Sequence, residues 1–378
     1  MPSVHQDDAT TLSGPVRFAQ FNVAMSYDGP GELARLLAEG TPRFHRLAGI
    51  IRHVRPDVLL LCEFDHPGEG GDSGTVRTFL RDYLNNEFGE GEPIDFPHMY
   101  CPPSNTGLPI YKHSDASNVI SPEEAHGFGL HHGQYGFILL SRYPILFDDI
   151  RSWQQFPWHK MPGNRMPEGF YDGSTEQTLR LSSKNHVCVP VETPKGVVSV
   201  VACHPTPPVF DGPEKRNYHR NADELRLITD IIDDADYLED DAGSFGGIKN
   251  SNPFVVIGDL NCTPVDGDGD HTELRKLLSH PKINKTAALG KLVPTSAGAR
   301  SHRVFQYRYD TSNTWTHNSG LRLDYVLPSS HLLVTSSGVF WPSSTEAGRS
   351  LIADSQDRIK ANISSDHRLV WVDCDINM

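Results

Sequence analysis

Short apolar runs recur along the chain with the alternation of half-buried strands. They fall at Val16 to Val23, Asp57 to Glu63, Gly136 to Ser141, His186 to Glu192, Gly196 to His204, Phe254 to Asn261, Leu323 to Leu327, Leu333 to Phe340 and Arg368 to Asp375. Between the first two, Leu33, Leu36 and Leu37, then Leu47, Ile50, Ile51 and Val54, recur at helical spacing, and Pro56 marks the exit. Further helices are predicted over Asn221 to Asp236, with Leu225, Ile228, Ile231 and Ile232 on one side, and over Thr272 to Leu278. Strands outnumber helices, which suits two sheets packed face to face with helices outside. No low-complexity linker or internal repeat divides the chain, so residues 15–378 are expected to form one domain. A flexible segment is expected at 1–14, and a loop-rich insertion around 89–134.

That insertion holds His98, His113, His126, His131 and His132 among Gly, Pro, Asn and Ser. The histidines lack a regular ligand spacing, which favours a functional loop over a metal cluster. The 378 residues are 37% hydrophobic and 22% charged, an ordinary globular composition. Lys and Arg number 34 against 48 Asp and Glu, a net charge of −14, and no basic stripe of the kind that attracts long nucleic acid is visible. Six cysteines (Cys62, Cys101, Cys188, Cys203, Cys262 and Cys374) lie in or beside apolar patterns without paired short spacing, so they read as small core residues, with a disulfide left open. Met1 to Gly14 is polar, giving no signal peptide, and the longest apolar runs are too short to span a bilayer. A soluble monomer is expected, and a secreted origin is left open.

The chemistry sits at strand ends. Along Phe254-Val255-Val256-Ile257-Gly258-Asp259-Leu260-Asn261, alternation puts Asp259 and Asn261 on the face of Val255 and Ile257. Other strands end in Asn22, Glu63 and His204; Asp324 lies within a strand, and Asp366 and His367 precede the last one. Singly, each reads as a cap, a turn or a paired residue. Together they put metal-competent or proton-transferring groups on six strands. Hard oxygen donors without clustered thiolates suit Mg²⁺, Mn²⁺ or Ca²⁺ better than zinc. The two histidines suit proton transfer or phosphate contact.

In this order, with Tyr-Gly-Phe-Ile-Leu-Leu-Ser-Arg at 135–142, Gly-Asp-Leu-Asn at 258–261 and Ser-Asp-His at 365–367, the chain resembles the endonuclease/exonuclease/phosphatase superfamily. That superfamily includes deoxyribonuclease I, sphingomyelinases and inositol polyphosphate 5-phosphatases. The resemblance runs from Asn22 to His367 and implies an α/β (α+β) fold: a four-layer sandwich of two packed, mainly antiparallel β-sheets flanked by helices. It also implies metal binding by Glu63, with Asn22 close by and Asp366 supporting; Mg²⁺ or Mn²⁺ is expected ahead of Ca²⁺. By the same resemblance Asp259 orients or deprotonates the attacking water and Asn261 holds the phosphate. His204 and His367 contact phosphoryl oxygens, and Asp324 holds the His367 imidazole.

The stretch after His204 departs from the usual family continuation and looks like a bacterial subgroup. Arg216, Asn217, Arg220 and Asn221 read equally as pocket-lining groups, Arg216 and Asn217 being the substrate-binding candidates, or as a loop and helical turn tied by Arg to Asp and Glu pairs. Arg180 and Lys184 read either as substrate contacts or as surface charges. The expected activity is hydrolysis of a small or medium phosphorylated substrate, as monoester or diester. A nuclease is the alternative, favoured if Arg151, Lys160, Arg165, Arg180 and Lys184 converge on one groove. A non-catalytic phospho-ligand sensor is the third reading, and it predicts loss of a central residue.

Overall fold

The computed structural model describes residues 14–111, 121, 124–249, 252–302 and 312–376. Nearly all of the expected flexible segment 1–14, and His113 in the insertion, lie outside the described residues.

The first sheet holds β1 (Val16–Met25), β2 (Val58–Phe64), β3 (His98–Tyr100) and β4 (Phe137–Ser141). The second holds β5 (Arg151–Ser152), β6 (His186–Thr193), β7 (Gly196–Cys203), β8 (Phe254–Asp259) and β9 (Asp324–Pro328). The last two strands, β10 (Leu332–Val339) and β11 (Val370–Ile376), return to the first sheet. The orders are β10-β11-β1-β2-β4-β3 and β5-β6-β7-β8-β9. Each sheet has one parallel pair, β1 with β2 and β7 with β8, and is otherwise antiparallel. A parallel pair needs a crossover. The first is α1 (Glu32–Glu39) and α2 (Pro42–Val54); after the short α3 (Thr75–Phe79) and α4 (Gly173–Thr178), the second is α5 (Arg216–Ile232). The helix α6 (His271–Ser279) packs beside α5, whose Leu225, Ile228, Ile231 and Ile232 are buried with Leu274, Leu277 and Leu278 of α6. The architecture is thus two packed sheets with helices around them.

The sandwich follows from strand alternation. Val255 and Ile257 of β8 join the core shared with the first sheet, whereas Phe254 and Val256 join a second core beneath α5 and α6. In β7, Val198, Val200 and Ala202 face the shared core, and Val201 and Cys203 the other. His204 and Asp259 therefore continue the faces that look into the sandwich. All six cysteines are buried and free, as expected of small core residues. No helix among the described residues is long and apolar enough to cross a membrane.

The predicted strands all form, and the differences lie at helix ends and in two very short strands. The periodic stretch from Leu33 to Val54 is two helices, because Gly40 closes α1 in a left-handed conformation (φ 75°) and Pro42 opens α2. The helix expected from Asn221 begins at Arg216, because the Asp211 carboxylate accepts from the backbone N–H groups of Asn217 (2.7 Å) and Tyr218 (2.9 Å) from outside the helix. The edge strands β3 and β5, three and two residues long, were too short to show a period. In the insertion, His131 lies near the Tyr27 carbonyl and His132 near the Ser104 carbonyl, at 3.1 and 2.9 Å, so they serve as loop ties rather than a shared cluster.

Gly258 is required by close packing between the central strands. A Cβ placed there would lie 2.4 Å from the Cys203 carbonyl oxygen on β7. Gly258→Ala is expected to lower stability by about 1–3 kcal/mol, read as a fall in thermal unfolding midpoint by circular dichroism; an unchanged midpoint would refute the packing argument.

Candidate active site

Both parallel pairs end at one rim of the sandwich. Asn22 is paired in register with Cys62, which sets it beside Glu63, and Cys203 pairs with Gly258, which sets His204 beside Asp259. Asn22 then crosses between the sheets: its Nδ2 donates to Glu63 Oε1 (2.9 Å) and to Asp259 Oδ2 (3.0 Å). Its Oδ1 accepts from the Ala24 backbone N–H at 3.0 Å. Ala24, Glu63 and Asn261 all hold left-handed backbone conformations, with φ of 47°, 55° and 51°. Such non-glycine positions cost energy and concentrate where a site needs a particular side-chain direction.

Asp259 is the hub. Its Oδ1 accepts from the Asn261 backbone N–H (3.0 Å), and its Oδ2 lies 3.6 Å from His204 Nε2 and 3.7 Å from His367 Nε2. Antiparallel pairing of β8 with β9 also sets Asp259 opposite Asp324. Burial pushes the Asp259 carboxyl above the usual range and the Asp324 charge adds to this, while His367 opposes it. On the other side, His367 Nδ1 donates to Asp324 Oδ2 and Oδ1 at 2.9 and 3.1 Å. Burial works against the His367 charge, but Asp324 and then Asp259 outweigh it and raise the imidazolium to about 10. Thr316 Oγ1 donates to Asp324 Oδ2 (2.6 Å) and accepts the N–H groups of Leu323 and Asp324, which fixes the acid that fixes the histidine.

The second histidine is in the opposite state. Burial, then the nearby positive charges of Lys184 and His367, push His204 well below its ordinary value, and its Nδ1 has no hydrogen-bond partner among the described residues. The structure resolves the choice left open for Lys184: it is buried, not a surface charge, and no carboxylate lies within 4 Å of its ammonium among the described residues. Burial lowers its pKa against the pull of Glu224, Glu63 and Asp259. The loops carrying Lys184 and His204 are held by Glu224 of α5, whose two carboxylate oxygens accept from Ser183 N (2.7 Å) and Thr206 N (2.6 Å).

Among the remaining candidates, Asn261 Nδ2 donates to the Pro205 carbonyl (3.1 Å), joining the β8 turn to the loop after His204. Asp366 lies in a separate cluster with His317 and His367, its Oδ2 3.3 Å from His317 Nε2. Against the cost of burial, the His317 hydrogen bond and the His367 charge hold the Asp366 carboxyl well below the usual range. Glu63 clusters instead with His204 and Asp259. Asn217 donates to the Val209 carbonyl, and Arg216 lines a hollow together with Asn217 and Arg220. Asn221 is fully buried and ties Thr206 to Leu260, while Arg220 donates to backbone carbonyls. The expected Arg to Asp and Glu ties are therefore carbonyl ties. Sequence reasoning missed His317, Thr316 and Glu224. The first two precede β9 in an irregular Thr-His-Asn-Ser-Gly stretch, and Glu224 sits inside a helix, so neither showed the strand-end signal.

Residues 19–367 match the model of the Endonuclease/Exonuclease/phosphatase family. The chain belongs to this family. An endonuclease/exonuclease/phosphatase from Beutenbergia cavernae is similar in fold, with TM-score 0.52 and 18% identity over 96% of this chain and 72% of that one. Weaker likenesses include beta toxin from Staphylococcus aureus with bound magnesium ions (TM-score 0.46, 13% identity, 96% and 100% coverage). Another is the mannosyl-6-phosphatase Bt3783 of Bacteroides thetaiotaomicron (TM-score 0.46, 10% identity, 96% and 100% coverage). Among curated proteins, none matches. Members of the endonuclease/exonuclease/phosphatase family are generally hydrolases that depend on divalent metal, phosphatases and nucleases among them.

The His367–Asp324 pair gives a pH signature. A group whose folded pKa is raised from 6.5 to about 10 contributes stability that is whole below about pH 6.5 and is lost as pH rises through about 10. Asp324→Asn is expected to bring His367 down by two pH units or more and to flatten that alkaline loss. Imidazole NMR titration of the metal-free protein, with thermal unfolding from pH 6.5 to 10, checks both; an unmoved His367 would sink the assignment.

Proposed function

We propose that this chain is a divalent-metal-dependent phosphoester hydrolase that acts on a small or medium phosphorylated substrate by in-line attack of water. The observation that carries the reading is Asp259 Oδ2, which receives the Asn22 amide and faces the Nε2 atoms of His204 and His367. A buried carboxylate with a raised pKa, aimed between two imidazoles, is suited to take a proton from water. His367, kept cationic by Asp324, donates to a non-bridging phosphoryl oxygen. His204, kept neutral by burial and Lys184, completes the cradle, and Asn261 donates to the phosphate once released from Pro205. Lys184 adds positive charge beside a group that becomes more negative as the reaction proceeds.

The donor set fits a hard divalent cation. Glu63 is half-exposed with Oε1 held by Asn22, and Asp366 is partly exposed and held ionised by His317. Glu63, oriented by Asn22, would hold Mg²⁺ or Mn²⁺, with Ca²⁺ also suited, and Asp366 would support the site from its neighbouring cluster. When bound, the ion neutralises phosphoryl charge and stabilises the leaving oxygen. Three of the five cations that a nuclease groove would use are paired with acids, Arg151 with Asp240, Lys160 with Glu239, and Arg165 with Asp270 and Glu273, which supports the smaller substrate. The sensor reading needs a missing central group, and each of these side chains is present.

EDTA-treated protein is expected to lose turnover of bis-p-nitrophenyl phosphate or p-nitrophenyl phosphate and to regain it with Mg²⁺, Mn²⁺ or Ca²⁺. Asp259→Asn and His204→Ala are each expected to lower kcat about 100-fold or more. No metal-dependent turnover of any phosphoester would overturn the proposal.

A further inference from the structure

Beside the reaction centre lies a second hollow of about 430 Å³, counting its open mouth, lined by Ile110, Phe128, Tyr171, Leu179, Arg216 and Arg220 among others. Its charges are unbalanced. Arg220 is buried, and its guanidinium donates to the carbonyls of Leu181 (2.8 Å), Arg180 (2.8 Å) and His126, but no carboxylate lies within 4 Å of it among the described residues. Of the two acids that follow it most closely on the helix, Asp223 accepts from Trp158 Nε1 and the Arg165 backbone N–H, and Glu224 has both oxygens occupied by Ser183 and Thr206. Arg216, one turn earlier on the same face of α5, is half-buried and has no hydrogen bond or ion pair among the described residues. His126 supplies no compensation, since burial, Arg180 and Arg220 push it down to about 3 and keep it neutral. In a chain of net charge −14, the described residues that line this hollow include two guanidinium groups and no carboxylate.

A purely structural role accounts for only half of this. Arg220 staples the backbone at 126 and 180–181, which explains its burial. Among the described residues Arg216 staples nothing, and holding a second cation close to a buried one is unfavourable unless an anion joins them. The helix N-terminus is not the attraction, because the Asp211 carboxylate already accepts from the N–H groups of Asn217 and Tyr218. Apart from the Asn217 amide, the rest of the lining is apolar or aromatic, including Ile110, Leu179, Tyr171 and Phe128, the last 54% exposed. The hollow is also close to the reaction centre. Leu181, whose carbonyl Arg220 holds, is three residues from Lys184, a reach of about 10 Å at most.

We propose that this hollow is a second anion subsite. It seats a distal phosphate or carboxylate of an elongated substrate, with an apolar or aromatic section lying against Phe128 and Tyr171 and the reacting phosphoester toward Lys184. Arg216 and Arg220 form charge-assisted hydrogen bonds to the distal anion. The substrate class is then a phosphoester that bears a second anionic group. Naming that class rests on the hydrolase reading above; binding of an aromatic anion in the hollow does not.

The test is calorimetric titration of benzylphosphonate, which offers one aromatic ring and one non-hydrolysable anion, into the full chain in EDTA. Wild type is expected to bind at one site, and Arg216→Gln to bind about tenfold or more weakly. Phe128→Ala is expected to lose severalfold, and Arg216→Lys to retain most of the affinity. His204→Ala and Asp259→Asn are expected to bind as wild type does. Circular dichroism confirms that each variant is folded, and Phe128, being exposed, provides a second handle should Arg216 variants unfold. No binding by wild type, equal affinity in both hollow variants, or a loss in His204→Ala matching that in Arg216→Gln would overturn the subsite. Discriminated binding without hydrolysis of any phosphoester would support the subsite while sinking the hydrolase reading; hydrolysis without discriminated binding would do the reverse.

Discussion

Asp259 and Asp324 stand opposite each other on neighbouring strands in the buried part of the sandwich, and the site depends on how that repulsion is relieved. Two ionised carboxylates side by side in a dry interior are unfavourable without a cation or strong donors between them. His367 provides the cation: Nδ1 binds Asp324 while Nε2 faces Asp259. The Asn22 amide provides the donor, and because it comes from the opposite sheet, the relief also fastens the sheets at their active rim. Removing one partner leaves the others as uncompensated buried charges. Stability and chemistry are therefore carried by the same few atoms.

The same arrangement separates the roles of two residues that look alike in sequence. His204 and His367 both face Asp259 at nearly equal distances, yet only His367 has a carboxylate on its second nitrogen. His204 Nδ1 has no partner among the described residues, and the cationic neighbours Lys184 and His367 oppose its protonation. One imidazole is held cationic and the other neutral, without any difference in the residue itself. Lys184 thus acts on the site as a fixed field as well as a contact.

Strand ends were legible in the sequence because period-two alternation fixes which face a terminal residue continues. Asp259 follows Val255 and Ile257, and His204 follows Val200 and Ala202, into the shared interior. The packing of two sheets was legible for the same reason, whereas their mainly antiparallel pairing follows from the family resemblance. Helix bounds were less so: α5 begins five residues before the apolar period does, since its cap is Asp211, a side chain outside the helix, and periodicity does not record that. Thr316 and His317 lie in irregular backbone and reach the site only through the β8–β9 and β11 junctions. Lys184 reads in the sequence as either a substrate contact or a surface charge, and Glu224 does not stand out, because burial of a charge has no signature in a local pattern. They became recognisable only when the loops at 183 and 206 were seen to close on one carboxylate.

That carboxylate gives α5 a second use. Arg216, Arg220 and Glu224 recur every four residues along one face of the helix, about 6 Å apart. Glu224 fixes the loops that carry Lys184 and His204, and Arg220 fixes the backbone at 126 and 180–181. Arg216 is the member of the row that fixes nothing among the described residues. Because a single rigid helix sets both spacings, the distance from the free guanidinium to the reaction centre is a property of the fold rather than of a mobile loop. A pocket built this way measures its ligand: it favours anions separated by a set length over those merely carrying the right charge.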